Sequence, residues 1–214
     1  MRIWDPATGE SLAEMEGHSK KIQGVLELAD GRILSWSSDA TLKAWSPTDG
    51  ACELTLEGHK KLIQGAHQLE DGRVISWSSD ATIKVWDLDA GELALDLTEH
   101  KKLIKGVRLL DGGRALSYSS DKTLKIWDLE AGDCLMTLEG HEKLVQDARL
   151  LDARRAASFG KDNLIIVWDL AEGAELLRIN AGADGADGAT LLDDGTLLTW
   201  SRKARTFRRW ELEG

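Results

Sequence analysis

Only two prolines, two cysteines, one tyrosine and two phenylalanines occur in 214 residues, and each scarcity narrows the field. With so little proline and no low-complexity tract there is no evident linker, so a single domain over residues 1–214 is expected. Apolar runs are short: none approaches the roughly 18 residues that cross a bilayer as a helix, so no membrane partner is expected. The opening residues, Met1-Arg2-Ile3-Trp4-Asp5, read as repeat sequence rather than as a leader. Positive charge is in deficit as well. The 27 Lys and Arg stand against 37 Asp and Glu, for a net charge of -10, the reverse of a nucleic-acid binder's footprint. A protein, peptide or small-molecule partner is expected instead, and no nucleic acid. Phosphate-loop, zinc-spacing and dinucleotide signatures are missing too, so the expectation is no cofactor, no metal and no enzyme.

What is present is repetition. Trp4, Trp45, Trp86, Trp127 and Trp168 recur every 41 residues, and Trp210 follows after 42. His18, His59, His100 and His141 keep the same step, as do Asp39, Asp80, Asp121 and Asp162. Repeat units therefore run near 18–58, 59–99, 100–140, 141–181 and 182–214, with 1–17 as a partial unit. Cys52 and Cys134 fall at one equivalent place in non-adjacent units, too far apart for a disulfide, and two free thiols fit a reducing, cytoplasmic compartment.

Inside a unit the apolar period is two. Thr82-Ile83-Lys84-Val85-Trp86 and Thr123-Leu124-Lys125-Ile126-Trp127 alternate as half-buried strands do. Asp30-Gly31, Asp71-Gly72 and Asp194-Gly195 mark hairpins, because glycine accepts positive φ and aspartate bonds its own backbone. Four short strands per unit follow, and the fold class is all-β.

Gly58-His59, Ser78-Ser79-Asp80 and Ile83-Lys84-Val85-Trp86-Asp87 together resemble one complete copy of the WD repeat, and the resemblance covers nearly the whole chain. It implies a β-propeller of about five four-stranded antiparallel blades around a channel. It also implies a buried tetrad in each blade, which by position is His18, Ser37, Asp39 and Trp45, then His59, Ser78, Asp80 and Trp86, then His100, Ser119, Asp121 and Trp127. The fourth unit has Gly160 at the serine place, and the fifth has Gly182 and Lys203 in place of His and Asp. Ser, His and Asp could form a catalytic triad, but a set repeated three times in equivalent settings favours bracing over a single reactive cleft.

The aromatic column Trp36, Trp77, Tyr118, Phe159 and Trp200 is expected to pack between neighbouring blades, with a ligand-stacking cage as the alternative. WD-repeat rings more commonly hold seven or eight blades. An unusually small, five-bladed ring could close by adding the N-terminal outer strand, near Ser11 to Met15, to the three final strands, the last at Phe207 to Leu212, leaving Arg2 to Asp5 surplus. Otherwise the missing blades come from a second copy of the chain or from a longer parent, and completion between copies is the favoured expectation, since an open arc would expose apolar faces.

The resemblance places partner binding on one loop face. Its sites are Lys21, Leu62, Leu103 and Leu144; Gln23, Gln64, Lys105, Gln146 and Asp187; and Ser38, Ser79, Ser120, Lys161 and Arg202. Lys20, Lys60, Lys61, Lys101, Lys102 and Lys143 lie beside them. On an acidic chain such a cluster suits an acidic protein or peptide, with leucines as anchors and cations as steering groups. A non-enzymatic interaction scaffold is thus the expected function, and a ligand-binding, lectin-like propeller the alternative. Two lesser candidates carry nothing: the 183–188 segment lacks the ligand count of a calcium loop, and His67 is a lone histidine.

Overall fold

The computed structural model describes residues 1–182, 185–186 and 188–211. It divides into two compact units, residues 1–98 and 99–214. The first unit contains β1 (Arg2–Trp4), β2 (Ser11–Glu14), β3 (Ile22–Glu27), β4 (Ile33–Ser37), β5 (Thr41–Trp45), β6 (Cys52–Glu57), β7 (Ile63–Gln68), β8 (Val74–Ser78), β9 (Ile83–Asp87) and β10 (Glu92–Leu97). They form a two-stranded sheet, β1-β2, and two four-stranded sheets in the orders β3-β4-β5-β6 and β7-β8-β9-β10.

The second unit contains β11 (Ile104–Leu110), β12 (Arg114–Ser119), β13 (Leu124–Asp128), β14 (Cys134–Leu138), β15 (Val145–Leu150), β16 (Arg155–Gly160), β17 (Leu164–Asp169), β18 (Glu175–Asn180), β19 (Gly188–Leu191), β20 (Leu197–Ser201) and β21 (Thr206–Trp210). These make two more four-stranded sheets, β11 to β14 and β15 to β18, and a three-stranded sheet, β19-β20-β21. Every four-stranded sheet falls within one 41-residue repeat, as the period-two patterning predicts, and all pairings are antiparallel. The final strand, expected at Phe207 to Leu212, is observed at Thr206–Trp210; Leu212 lies outside the described residues.

Burial explains the residue choice along each strand. The second and third strands, such as β8 and β9, alternate as expected but are buried on both faces rather than one, with Ser76, Ser78 and Lys84 taken into the interior, whereas β10 at the outer edge is mostly exposed. In the first unit Leu34, Leu42, Ala44 and Leu56 of one sheet meet Ile63, Ala66, Val74 and Trp86 of the next, with Trp36 packed on that core. In the second unit Tyr118 and Phe159 occupy the matching places in two further clusters. Of the aromatic column, Trp36, Tyr118 and Phe159 therefore pack between neighbouring sheets.

The same rings lie flat across the adjacent inner strand. A Cβ at Gly24, Gly65, Gly106 or Gly188 would stand 2.2 to 2.3 Å from Trp36, Trp77, Tyr118 or Trp200, so those four places admit only glycine. The fourth repeat has Asp147 there instead. Its carboxylate accepts bonds from Tyr118 Oη at 3.1 Å and Arg108 Nη2 at 2.9 Å, tying β15 to the preceding sheet. The indole N–H groups of Trp36 and Trp77 are buried with no partner.

The Asp-Gly hairpins form as expected: Gly31, Gly72 and Gly195 have φ of 88°, 89° and 82°. A second left-handed place is occupied without glycine, by Ala40 (φ 70°), Ala81 (71°), Lys122 (81°), Asn163 (66°) and Arg205 (56°), one residue after the recurring aspartate in the first four repeats. A Cβ in that region costs about 1–2 kcal/mol, only partly offset by the lower chain entropy it brings to the unfolded state. Ala40→Gly and Ala81→Gly are each expected to stabilise by about 0.5–1 kcal/mol in thermal melts; lower melting temperatures for both would contradict this.

Candidate functional site

Each complete sheet carries one buried polar chain. In the β7–β10 sheet, His59 precedes the inner strand, Ser76 lies mid-strand on β8, Asp80 sits in the turn after it, and Trp86 closes β9. Trp86 Nε1 donates to Ser76 Oγ at 2.8 Å, Ser76 Oγ meets His59 Nε2 at 2.9 Å, and His59 Nδ1 meets Asp80 Oδ2 at 3.1 Å. In the neutral imidazole whose Nδ1–H donates to the carboxylate, Nε2 is the acceptor of the serine O–H. The order of donation is indole to hydroxyl to imidazole to carboxylate. Asp80 also accepts Lys60 N at 2.7 Å, Thr82 N at 2.9 Å and Thr82 Oγ1 at 2.7 Å, which fixes the loop on both sides of it.

The same arrangement recurs at His18, Ser35, Asp39 and Trp45, with His18 Nε2 to Ser35 Oγ at 2.8 Å and Trp45 Nε1 to Ser35 Oγ at 2.8 Å. It recurs again at His100, Ser117, Asp121 and Trp127. This corrects the serine assignment, because Ser37, Ser78 and Ser119 are not the tetrad hydroxyls. Two residues apart on a strand, Ser35 and Ser37 share a face, and the deeper one lies beside the tryptophan. Ser37, Ser78 and Ser119 instead bond the loop carbonyls of Lys21, Leu62 and Leu103, and accept the N–H of Asp39, Asp80 and Asp121. A readable signal existed: Ser35, Ser76, Ser117, Ser158 and Thr199 keep a hydroxyl in all five repeats, whereas the later place lapses at Gly160.

The fourth repeat is accordingly complete, contrary to expectation. Trp168 Nε1 donates to Ser158 at 2.8 Å, Ser158 meets His141 Nε2 at 2.7 Å, and His141 Nδ1 meets Asp162 at 3.1 Å. Gly160 is where Asp162 leans in: a Cβ there would stand 2.1 Å from Asp162 Oδ1 and 2.3 Å from His141 Nδ1. Restoring the repeat pattern with Gly160→Ser is therefore expected to destabilise by about 1–3 kcal/mol in urea unfolding, and a gain in stability would contradict the packing. In the fifth repeat Trp210 Nε1 donates to Thr199 Oγ1 at 2.9 Å.

Electrostatics suit bracing. Burial alone would raise Asp80, but bonds from His59, from the Thr82 hydroxyl and from the Lys60 and Thr82 N–H groups outweigh it and hold the carboxyl well below the usual range. Asp39 and Asp121 are held down in the same way. His141 moves down because its burial outweighs the pull of Asp162.

Serine, histidine and aspartate here have the bonding order of an acyl-transfer triad. Ser35, Ser76, Ser117 and Ser158 are nevertheless 0% exposed, and tryptophan occupies the oxygen that would have to attack. No carbonyl can reach them. Among the described residues no group of three or more His, Cys, Asp or Glu is placed to hold a metal ion, and no helix is long and apolar enough to cross a membrane.

At the loop end of the four complete sheets two of the expected sets of residues meet, and in the first two of these sheets the glutamines join them. Ser38, Ser79, Ser120 and Lys161 donate their N–H to the carbonyls of Lys21, Leu62, Leu103 and Leu144 at 2.8 to 3.0 Å. Gln23 and Gln64 donate to the Ser38 and Ser79 hydroxyls at 2.7 and 2.9 Å. Lys20, Lys21, Lys60, Lys61, Lys101, Lys102, Lys105, Lys143, Gln146, Lys161 and Arg202 are exposed, and Leu62, Leu103 and Leu144 half-buried. Asp187 lies outside the described residues, as do Ala183 and Asp184. His67 stacks near Trp77 with ring centroids 5.0 Å apart. Cys52 and Cys134 are free thiols.

Comparison with known proteins agrees with this geometry over part of the chain. The family model for the WD domain, G-beta repeat (WD40), matches residues 50–87 and 91–128. Each match encloses one whole tetrad and ends on its Trp-Asp pair. No curated protein matches the chain. Among solved structures, that of the computationally designed Ika8 protein is similar, with 26% identity and a TM-score of 0.81 over 98% of this chain. The chain spans 64% of that protein's length. Residues 50–128 thus carry two WD40 repeat matches within an all-β array of repeated sheets.

Proposed function

We propose that the whole chain is a WD-repeat propeller array acting as a non-enzymatic interaction scaffold, which binds an acidic protein or peptide at its loop ends. The observation that carries this reading is the backbone tie in each complete sheet. The loop before the inner strand and the turn after the second strand are pinned to one another, and the turn is pinned again through the aspartate of the tetrad. Lysines and amides there project from a rigid base, so little ordering entropy opposes binding. Their positive charge on a chain of net charge -10 would steer an acidic partner. The half-buried leucines supply apolar anchors beside it. Free Cys52 and Cys134 fit a cytoplasmic setting, which belongs to the same proposal.

A fluorescent glutamate-rich peptide is the probe. The protein is expected to bind it with an affinity that falls as salt is raised, and the K60E/K61E/K101E/K102E variant, with unchanged circular dichroism, is expected to lose that binding at least tenfold. Equal binding by the variant would remove the lysine loops from the proposal.

A further inference from the structure

Two of the sheets have fewer than four strands among the described residues, β1-β2 and β19-β20-β21. Their positions can be matched to the complete sheets through the tryptophan. Trp210 bonds Thr199 as Trp45, Trp86, Trp127 and Trp168 bond their serines, so β21 is the third strand of its sheet. Three residues before that tryptophan the complete sheets carry Leu42, Ile83, Leu124 and Ile165, none more than 1% exposed. Each lies opposite an aliphatic residue of an outer strand: Leu56, Leu97, Leu138 or Ile179. In the last sheet this place is Phe207, and it is 73% exposed. Two residues before the tryptophan, Lys43, Lys84 and Lys125 reach Thr55, Asp96 and Thr137 on the outer strand at 2.7 to 2.8 Å. There the last sheet has Arg208.

The strand β2 has the complementary character. Its register against β1, with Trp4 opposite Ser11 and Arg2 opposite Glu14, makes it the fourth strand of its own sheet. Glu10, Glu14 and Glu16 on and beside it are exposed, whereas Arg202, Lys203, Arg205, Arg208 and Arg209 on and beside β21 are exposed and basic. Arg2, two residues before Trp4, holds Glu14 at 2.8 Å. Arg208 stands in the same relation to Trp210.

We propose that β2 of a second copy of this chain adds to β21 as the fourth strand of that sheet. In the register of the complete sheets, Ser11 lies opposite Trp210, Ala13 opposite Arg209, Glu14 opposite Arg208 and Met15 opposite Phe207. β1 and β21 are then alternative partners for β2. Exchange replaces the Arg2–Glu14 pair by Arg208–Glu14 and covers Phe207 with an apolar side chain. Arg209 departs from the pattern, since the complete sheets carry buried Ala44, Val85, Ile126 and Val167 there; it stays with its own sheet through Asp194 and Thr196. Reciprocal exchange between two copies closes the assembly, and one-way exchange extends it. The inference stands apart from the proposed lysine loops.

Light scattering and cross-linking test it together. The 214-residue chain is expected at twice its 23.5 kDa mass or a higher multiple. R208E and E14R are each expected to fall toward 23.5 kDa, and mixing the two variants to restore the larger species, because each then offers the other a matched pair. On a C52S/C134S background, oxidising a mixture of A13C copies and R209C copies is expected to join positions 13 and 209 between chains, since directly opposed Cα atoms lie within disulfide reach. A parent mass of 23.5 kDa would overturn the proposal. So would a multiple unaffected by R208E, or an A13C/R209C chain whose disulfide closes only within itself.

Discussion

Ser76→Ala is expected to destabilise the protein by about 2–5 kcal/mol, the largest effect of any single hydroxyl removal. The Ser76 oxygen is fully buried and bonded to both Trp86 Nε1 and His59 Nε2, so alanine leaves an indole N–H and an imidazole nitrogen unpaired in the interior. Each orphaned group costs about 1–3 kcal/mol. Ser78→Ala is the control. The Ser78 hydroxyl is shared between the carbonyls of Lys61 at 3.1 Å and Leu62 at 3.0 Å. The latter also accepts the N–H of Ser79 at 3.0 Å and Lys61 lies in an exposed loop, so the Asp80 N–H is the main group left without its partner and the cost is about 1 kcal/mol. Urea midpoints with unchanged slopes would rank the two variants, and a larger loss at Ser78 than at Ser76 would overturn the tetrad assignment.

Acid should unfold the protein steeply below about pH 4, close to the ordinary aspartate value. Asp39, Asp80, Asp121 and Asp162 are all held low in the fold, with side chains 3% to 7% exposed. Such a group contributes its stability above the unfolded-state pKa and loses it as pH falls toward the folded one, because the unfolded chain takes up the proton first. One group changes stability by at most about 1.4 kcal/mol per pH unit, so four together give a slope of up to about 5.6 kcal/mol per unit. His141 works in the same direction but begins earlier. Its lowered folded pKa means that stability starts to decline as pH drops below about 6.5. A shallow phase followed by a steep one is therefore expected in urea midpoints measured from pH 7 to 3, and Asp80→Asn should remove about a quarter of the steep slope. A flat profile would show that these carboxylates are not held low.

Much of this was legible from residues alone. The 41-residue step located every sheet, and alternating Ile83-Lys84-Val85-Trp86 identified the strand that ends each tetrad. The hydroxyl partner was not found, because a period of two puts Ser35 and Ser37 on one face and cannot choose between them. Depth along the strand decides that, and depth belongs to the packed sheet. The intact fourth tetrad was hidden for the same reason: Gly160 replaces the outer serine, not the bonded one. Left-handed Ala40 and Ala81 carry no compositional cue, since alanine gives no sign of positive φ. The tie between Tyr118, Arg108 and Asp147 joins residues from neighbouring repeats with no motif linking them. It becomes visible only when β15 lies against the sheet before it.

Near-identical repeats pose a hazard while the chain is collapsing, since an inner strand from one repeat could be taken up by the second strand of another. The four glycines under the aromatic rings leave β3, β7, β11 and β19 open to such errors, for any large ring fits any of them. Asp147 closes β15 to them. Its carboxylate stands where an indole from Trp36 or Trp77 would have to lie, so that strand rejects β4 and β8 and serves as an address label in an otherwise degenerate array.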